Sequence, residues 1–284
     1  MISMANTNPG LTKPWEPGEP DKYYPTGKRN YGRTIATDDF QGMAGAQFMA
    51  QKIGVKKCLV LNDNSTYGQG VAKAFADNAV KQGITVIDNV AYDMKQPSYQ
   101  AIFEKYKSQS PDCVYFGATF DSNGGQLVKD KVAVLGDNTK VKLLAPDGYV
   151  GYPDFDKMPE AAGAYLSFAG LSADTLIAQG GKGAEFANSF KDKYGKLPQN
   201  SYTLYGVAAL QVVLAGIAAS DGTRAGLTSA VLGGSGVTIS AADSVLGKEI
   251  HLDPKTGDTV ALDVTIMQET DGAPKTLMPW AIQF

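Results

Sequence analysis

Asp147 lies between Pro146 and Gly148, directly after the apolar run Val141-Lys-Leu-Leu-Ala145. A carboxylate held there in a closed cleft suits a ligand ammonium, because a charge-assisted bond strengthens where the dielectric falls. The same Asp-Gly pair also fits an Asx turn or a helix N-cap. Tyr67, in Asp63-Asn-Ser-Thr-Tyr-Gly-Gln-Gly70, offers an aromatic wall with a hydroxyl. Plain packing against the next loop suits it equally well. Thr119 and Phe120 follow the apolar run Asp112-Cys-Val-Tyr-Phe-Gly117 and add a hydroxyl and a second apolar wall.

Catalytic patterns are missing. The one histidine, His251, sits in Lys248-Glu-Ile-His-Leu-Asp, which reads as a strand near a turn and not as the site of a general base. There is no CxxC and no metal-ligand spacing. Gly68-Gln-Gly70 opens like a dinucleotide loop, but position 73 is Lys73, so G-x-G-x-x-G fails. Lys182 in Gly180-Gly-Lys-Gly183 is followed by glycine, not by Ser or Thr, and reads as loop. Asp38-Asp39 stands at a helix start, where capping and the helix dipole explain both acids. The expectation is a binding protein, not an enzyme, with no cofactor and no metal.

The elements that position these residues repeat one pattern. Cys58 to Leu61 is a continuous apolar run, as in a strand buried on both faces. Asn62 to Ser65 are turn formers, and an amphipathic helix follows with Ala72, Phe75, Ala76 and Ala79 on one side. Ile84 to Asp88 predicts a second strand and Tyr99 to Tyr106 a second helix. Asp112 to Gly117 and Val141 to Ala145 predict further strands, with a helix over 125–135 between them. Strands alternating with helices imply a parallel sheet with right-handed crossovers. The loops carrying Tyr67, Thr119 with Phe120, and Asp147 should therefore gather at one rim, where open parallel sheets bind ligands.

With 284 residues the chain exceeds what one core comfortably holds, so two lobes are expected. A net charge of -3, from 26 basic and 29 acidic residues, argues against nucleic acid or an anionic membrane surface as partner. Residues 1–12 lack the basic and apolar regions of a signal peptide. Tyr202 to Ala219 is uncharged and mostly apolar, but its Tyr202, Thr203, Tyr205 and Gln211 and its unflanked ends favour a buried core helix over a membrane span. Cys58 and Cys113 each begin an apolar strand, which predicts buried free thiols, close together should the strands be neighbours.

Four stretches together carry a resemblance: Ala5-Asn-Thr-Asn-Pro-Gly-Leu-Thr12, Tyr24-Pro-Thr-Gly-Lys-Arg-Asn-Tyr31, Asp63-Asn-Ser-Thr-Tyr-Gly-Gln-Gly70 and Pro146-Asp-Gly148. The chain resembles the leucine-binding-protein-like periplasmic solute-binding proteins of branched-chain amino acid ABC transporters. The resemblance implies an α/β protein with doubly wound parallel sheets, the two-lobed type I periplasmic-binding-protein fold, its first lobe incomplete. It implies a remnant of lobe 1 at 1–37, lobe 2 at 38–168, lobe 1 continued at 169–257, and closing strands of lobe 2 at 258–284. Ala5 and Thr7 would hold a ligand's α-carboxylate and ammonium, Tyr67 would close over it, and Asp147 would pair with the ammonium, with Thr119 and Phe120 near its side chain. The implied function is capture of an amino acid or related small amide between two lobes for an ABC permease, in the periplasm or outside the cell. A missing N-terminal segment or a second chain would complete lobe 1. A ligand-sensing regulatory domain of the same fold, or a truncated fragment that binds nothing, are the alternatives.

Overall fold

The computed structural model describes residues 1–270 and 272–284, and they divide into two compact units. The first unit comprises 1–37 and 170–263, and the second 38–169 and 264–284. The last boundary thus falls at 263/264, not at 257/258. Asp258 is the reason: it accepts from Arg33 Nε at 2.7 Å and from the Thr12 hydroxyl at 3.0 Å, which ties its segment to the first unit.

In chain order the strands are β1 (Ile2–Ser3), β2 (Gly32–Arg33), β3 (Lys57–Asn62), β4 (Thr85–Ala91), β5 (Cys113–Gly117), β6 (Lys142–Ala145), β7 (Tyr165–Phe168), β8 (Thr238–Ile239), β9 (Ile250–His251), β10 (Val264–Thr270) and β11 (Ala273–Trp280). The helices are α1 (Asp38–Phe48), α2 (Thr66–Lys81), α3 (Gln100–Lys107), α4 (Gly124–Leu135), α5 (Pro153–Asp156), α6 (Ala173–Ala178), α7 (Gly181–Tyr194), α8 (Tyr202–Ala218) and α9 (Arg224–Leu232).

The second unit is built on a seven-stranded sheet in the order β11-β10-β7-β6-β5-β3-β4. From β7 to β4 every pairing is parallel, while β10 runs antiparallel to both β7 and β11. β5 is buried along its whole length, as a central parallel strand covered on both faces must be. The two edges carry the residues that discourage further pairing: Asp88 and Asn89 in β4, Lys275 and Pro279 in β11. One face packs Phe48, Met49, Phe75 and Ala79 from α1, its final turn and α2 onto Val60, Tyr115 and Leu144. On the other face the Phe103 ring of α3 meets Phe116 at 6.4 Å. Helices thus cover both faces, which is the doubly wound arrangement. Cys58 and Cys113 are paired neighbours on β3 and β5, 4.4 Å apart between Cα atoms, and form a disulfide where free thiols were expected. Parallel pairing in direct register brings the two side chains together, and no periodicity in either strand reports which strands are neighbours.

The first unit holds the parallel pair β1–β2, the antiparallel pair β8–β9 and helices α6 to α9. α7 closes on Gly195 with φ of 76°, the left-handed position that glycine takes without a steric penalty. α8 departs from the expected buried core helix. Leu204, Tyr205, Ala208 and Val212 face inward, whereas Leu210, Leu214 and Ile217 lie on the exposed side. No helix among the described residues is long and apolar enough to cross a membrane.

Candidate ligand-binding site

The rim of the second unit is assembled from the loops after β3, β5 and β6. After β3, Asp63 turns inward and is buried. Its Oδ1 accepts from the Ser65 N–H at 3.0 Å and from the Ser65 hydroxyl at 2.6 Å, and its Oδ2 accepts from the Ser122 hydroxyl at 2.6 Å. Ser65 Oγ in turn accepts from the Gly68 N–H at 2.9 Å and so caps α2. A Cβ on Gly68 would stand 2.5 Å from the Gly117 carbonyl oxygen, so the first turn of α2 can press against the end of β5 only because residue 68 is glycine. That contact delivers Tyr67 to the rim.

There Tyr67 meets Asp147. The Tyr67 hydroxyl donates to Asp147 Oδ1 at 2.5 Å and accepts from the Gly148 N–H at 3.0 Å. The Phe120 N–H donates to the Gly148 carbonyl at 2.9 Å, so the loops after β3, β5 and β6 are laced together. Asp147 is only 2% exposed. Its carboxylate is not spent on its own turn: the Gly148 N–H goes to Tyr67, the Tyr149 N–H to the Pro146 carbonyl, and the Val150 N–H to the Asp147 carbonyl.

Thr119 and Phe120 lie in the loop after β5. The Thr119 hydroxyl pairs with that of Ser122 at 3.1 Å, within the loop. Phe120 is half-buried against Tyr149, Tyr152 and Phe155, with centroid separations of 5.9, 5.2 and 5.7 Å. It belongs to an aromatic cluster that stiffens the loops after β5 and β6. Ala5 and Thr7 belong to the first unit. The Ala5 N–H donates to Ser3 Oγ at 3.2 Å, and Thr7 is 3% exposed.

Two groups gain weight from their burial. Asp38, expected at a helix start, does open α1 and is fully buried there. Tyr115 is 1% exposed, and its hydroxyl has no hydrogen-bond partner among the described residues. Burial, then the charges of Asp38 and Asp147, push its pKa well above the ordinary tyrosine value. The charges of Asp38 and Asp147 thus both reach one buried hydroxyl. No signal in the sequence separates a buried acid at a helix start from a solvated one. His251 stays apart from all of this, with Nδ1 3.2 Å from the Thr238 hydroxyl. No group of acids, histidines or cysteines suited to a metal occurs among the described residues.

The fit of Tyr67 against the Asp147 turn depends on residue 148. A Cβ on Gly148 would lie 2.6 Å from the Ala118 carbonyl oxygen and 3.0 Å from the Tyr67 hydroxyl. Gly148→Ala is expected to lower stability by about 1–3 kcal/mol through this overpacking. A urea unfolding curve checks it, with a midpoint unchanged from the parent as the contrary result.

A protein-family model described as periplasmic binding protein matches residues 16–272. A Leu/Ile/Val-binding protein, BraC3, from Rhizobium johnstonii is 28% identical over 217 residues, which are 76% of this chain and 53% of that relative. The chain thus spans about half the length of the curated relatives it matches. Among solved structures, a leucine binding protein, LivK, from Thermotoga maritima superposes with a TM-score of 0.79 at 20% identity, covering 99% of this chain and 72% of that one. An ABC transporter substrate-binding protein from Desulfitobacterium hafniense, in complex with Leu, superposes with a TM-score of 0.71 at 23% identity, covering 98% of this chain and 72% of that one.

Proposed function

Because the chain belongs to the periplasmic binding protein family, a family of solute binders and not of enzymes, we propose that it captures an amino acid, branched-chain or a related small amide, for delivery to an ABC transporter permease. The observation that carries this reading is the buried Asp147 carboxylate, bonded by Tyr67 at the rim of a parallel sheet. A carboxylate in that setting favours an ammonium. The second unit contributes Asp147 and Tyr67, with Thr119 and Phe120 shaping the loop behind them. The first contributes Ala5 and Thr7. The two units correspond to the two lobes of the family, and ligand binding favours one conformation over another by its differential affinity.

The name of the Rhizobium relative supports Leu, Ile or Val as first candidates. The disulfide between Cys58 and Cys113 suits an oxidising compartment, in keeping with a periplasmic or extracellular location. Further polypeptide, on the same chain or a second one, is proposed to complete the first unit. Its parallel strands β1 and β2 are two residues each, and α8 leaves Leu210, Leu214 and Ile217 exposed. Titration calorimetry of the full-length protein with leucine, isoleucine, valine and small amides tests the function. Saturable heat with at least one of them is expected. No heat from any at millimolar ligand would overturn the reading.

A further inference from the structure

Arg33 is the largest fully buried side chain of the first unit, at 0% exposure, and its guanidinium is almost wholly committed. Nη1 donates to the carbonyls of Asn6 and Asn8 at 2.8 and 2.9 Å, Nη2 to the Thr12 hydroxyl at 2.6 Å, and Nε to Asp258 Oδ1 at 2.7 Å. The Thr12 hydroxyl also lies 3.0 Å from Asp258 Oδ2, so arginine, threonine and aspartate close a ring. The guanidinium sits over the Tyr31 ring at 5.5 Å, and the Tyr31 hydroxyl reaches the Asn6 carbonyl at 3.4 Å. Asp258 supplies the counter-charge without which a buried guanidinium would be costly.

The two carbonyls gripped by Nη1 flank Thr7. Thr7 itself makes no hydrogen bond among the described residues through either its N–H or its hydroxyl, although it is nearly buried. Its neighbours' acceptors are occupied while its own polar groups are left unspent. A loop without helix or strand pairing holds one conformation only if something else fixes its backbone, and a rigid planar fork with several donors does this at low entropic cost.

We propose that Arg33 is the positioning residue for Thr7: by clamping the carbonyls of Asn6 and Asn8 it presents the Thr7 N–H and hydroxyl, preordered, to the ligand. The ligand part rests on the function proposed above. The clamp itself does not. Arg33 touches no ligand in this account and acts through the loop.

The test pairs Arg33→Lys with Thr7→Ala in the full chain, under conditions where circular dichroism shows every variant folded. Lysine keeps the charge but not the fork. Arg33→Lys is expected to weaken amino-acid affinity 10- to 100-fold in the parent, and less than threefold when Thr7 is already alanine. Equal losses in the two backgrounds would show that Arg33 does not act through Thr7 and would overturn the proposal. In the ligand-free protein, the NMR order parameter of the Thr7 amide is expected to drop in Arg33→Lys from about 0.85 toward 0.6, with amides in α8 unchanged. An unchanged Thr7 amide would likewise overturn it. Should Arg33→Lys not fold, Thr12→Val, which removes the Nη2 acceptor together with the hydroxyl's own bonds to Asp258 Oδ2 and the Pro9 carbonyl, carries the same two measurements, with an expected 3- to 10-fold loss. If the parent binds no amino acid, the functional reading fails while the order parameter still decides the clamp.

Discussion

Asp147→Ala is expected to abolish amino-acid binding for practical purposes, with affinity falling ~100-fold or more. Removing one partner of a buried, charge-assisted pair costs about 2–5 kcal/mol, because the remaining charge is left desolvated and unpaired. Asp147 is 2% exposed, so water cannot replace it. Two companions separate charge from position. Asp147→Asn keeps an oxygen for the Tyr67 hydroxyl, now donated at 2.5 Å, but removes the charge. It should lose nearly as much affinity as alanine if the ligand group is an ammonium. Tyr67→Phe removes the hydroxyl that donates to Asp147 Oδ1 and leaves the Gly148 N–H without the acceptor it has at 3.0 Å. Its loss should be smaller and should come with a modest drop in melting temperature. Calorimetry across the three variants decides the matter. Parent-like affinity in Asp147→Ala would remove the ammonium site from this rim.

How much of this was readable in advance depends on whether the relevant physics is local. The unit Cys58 to Val80 shows its strand, turn and helix in apolar spacing and turn chemistry alone, and the structure has β3 and α2 there. That Tyr67 and Asp147 approach one another follows from a general property of parallel sheets, that successive loops return to one edge. The hydrogen bond between them does not follow, because it depends on Gly148 and on the contact between Gly68 and Gly117. Pairings across long stretches of chain were illegible for the same reason. β10 joins β7 although the whole 170–263 segment, which belongs to the other unit, separates them in the chain. Nothing in Val264 to Thr270 names that partner. The neighbours of Phe120 are illegible too: the rings of Tyr149, Tyr152 and Phe155 that pack against it come from a later part of the chain. Asp38 reads as a helix-start acid and Arg33 draws no reading from its spacing, yet tertiary packing buries both completely. Burial of a charge is a property of the assembled fold, and sequence spacing carries almost no trace of it.

Stability should fall as pH rises from 5 to 8, and Glu269 is the main reason. Glu269 in β10 is 2% exposed and lies against Asp156 of α5. As two carboxylates, neither Glu269 oxygen has a donor among the described residues, nor has Asp156 Oδ1. With a proton between them, one can donate to the other. Burial, reinforced by the Asp156 charge, pushes Glu269 up to about 8. Burial, partly relieved by the bond to Glu269 and by Lys157, pushes Asp156 up to about 6. Both values exceed those of the unfolded chain, so the native pair holds protons that the unfolded state has already released. The contribution is therefore complete below about pH 4 and is lost as pH climbs through 6 and then 8, at about 1.4 kcal/mol per pH unit for each retained proton. Acids whose pKa is lowered, such as Asp130 and Asp137, act in the opposite direction only at more acidic pH. Lys131, pushed down to about 7 by burial, offsets part of the fall above that pH. Comparison with Glu269→Gln isolates the pair. Glutamine fills the same space without a proton to lose and can donate to Asp156. The variant should gain roughly 1–3 kcal/mol over the parent at pH 8, after allowance for solvent screening, and little at pH 5. Urea midpoints at pH 5, 6.5 and 8 measure both slopes. A parent midpoint that does not change over this range, or a Gln variant less stable than the parent at pH 8, would mean that the two carboxyl groups do not share a proton.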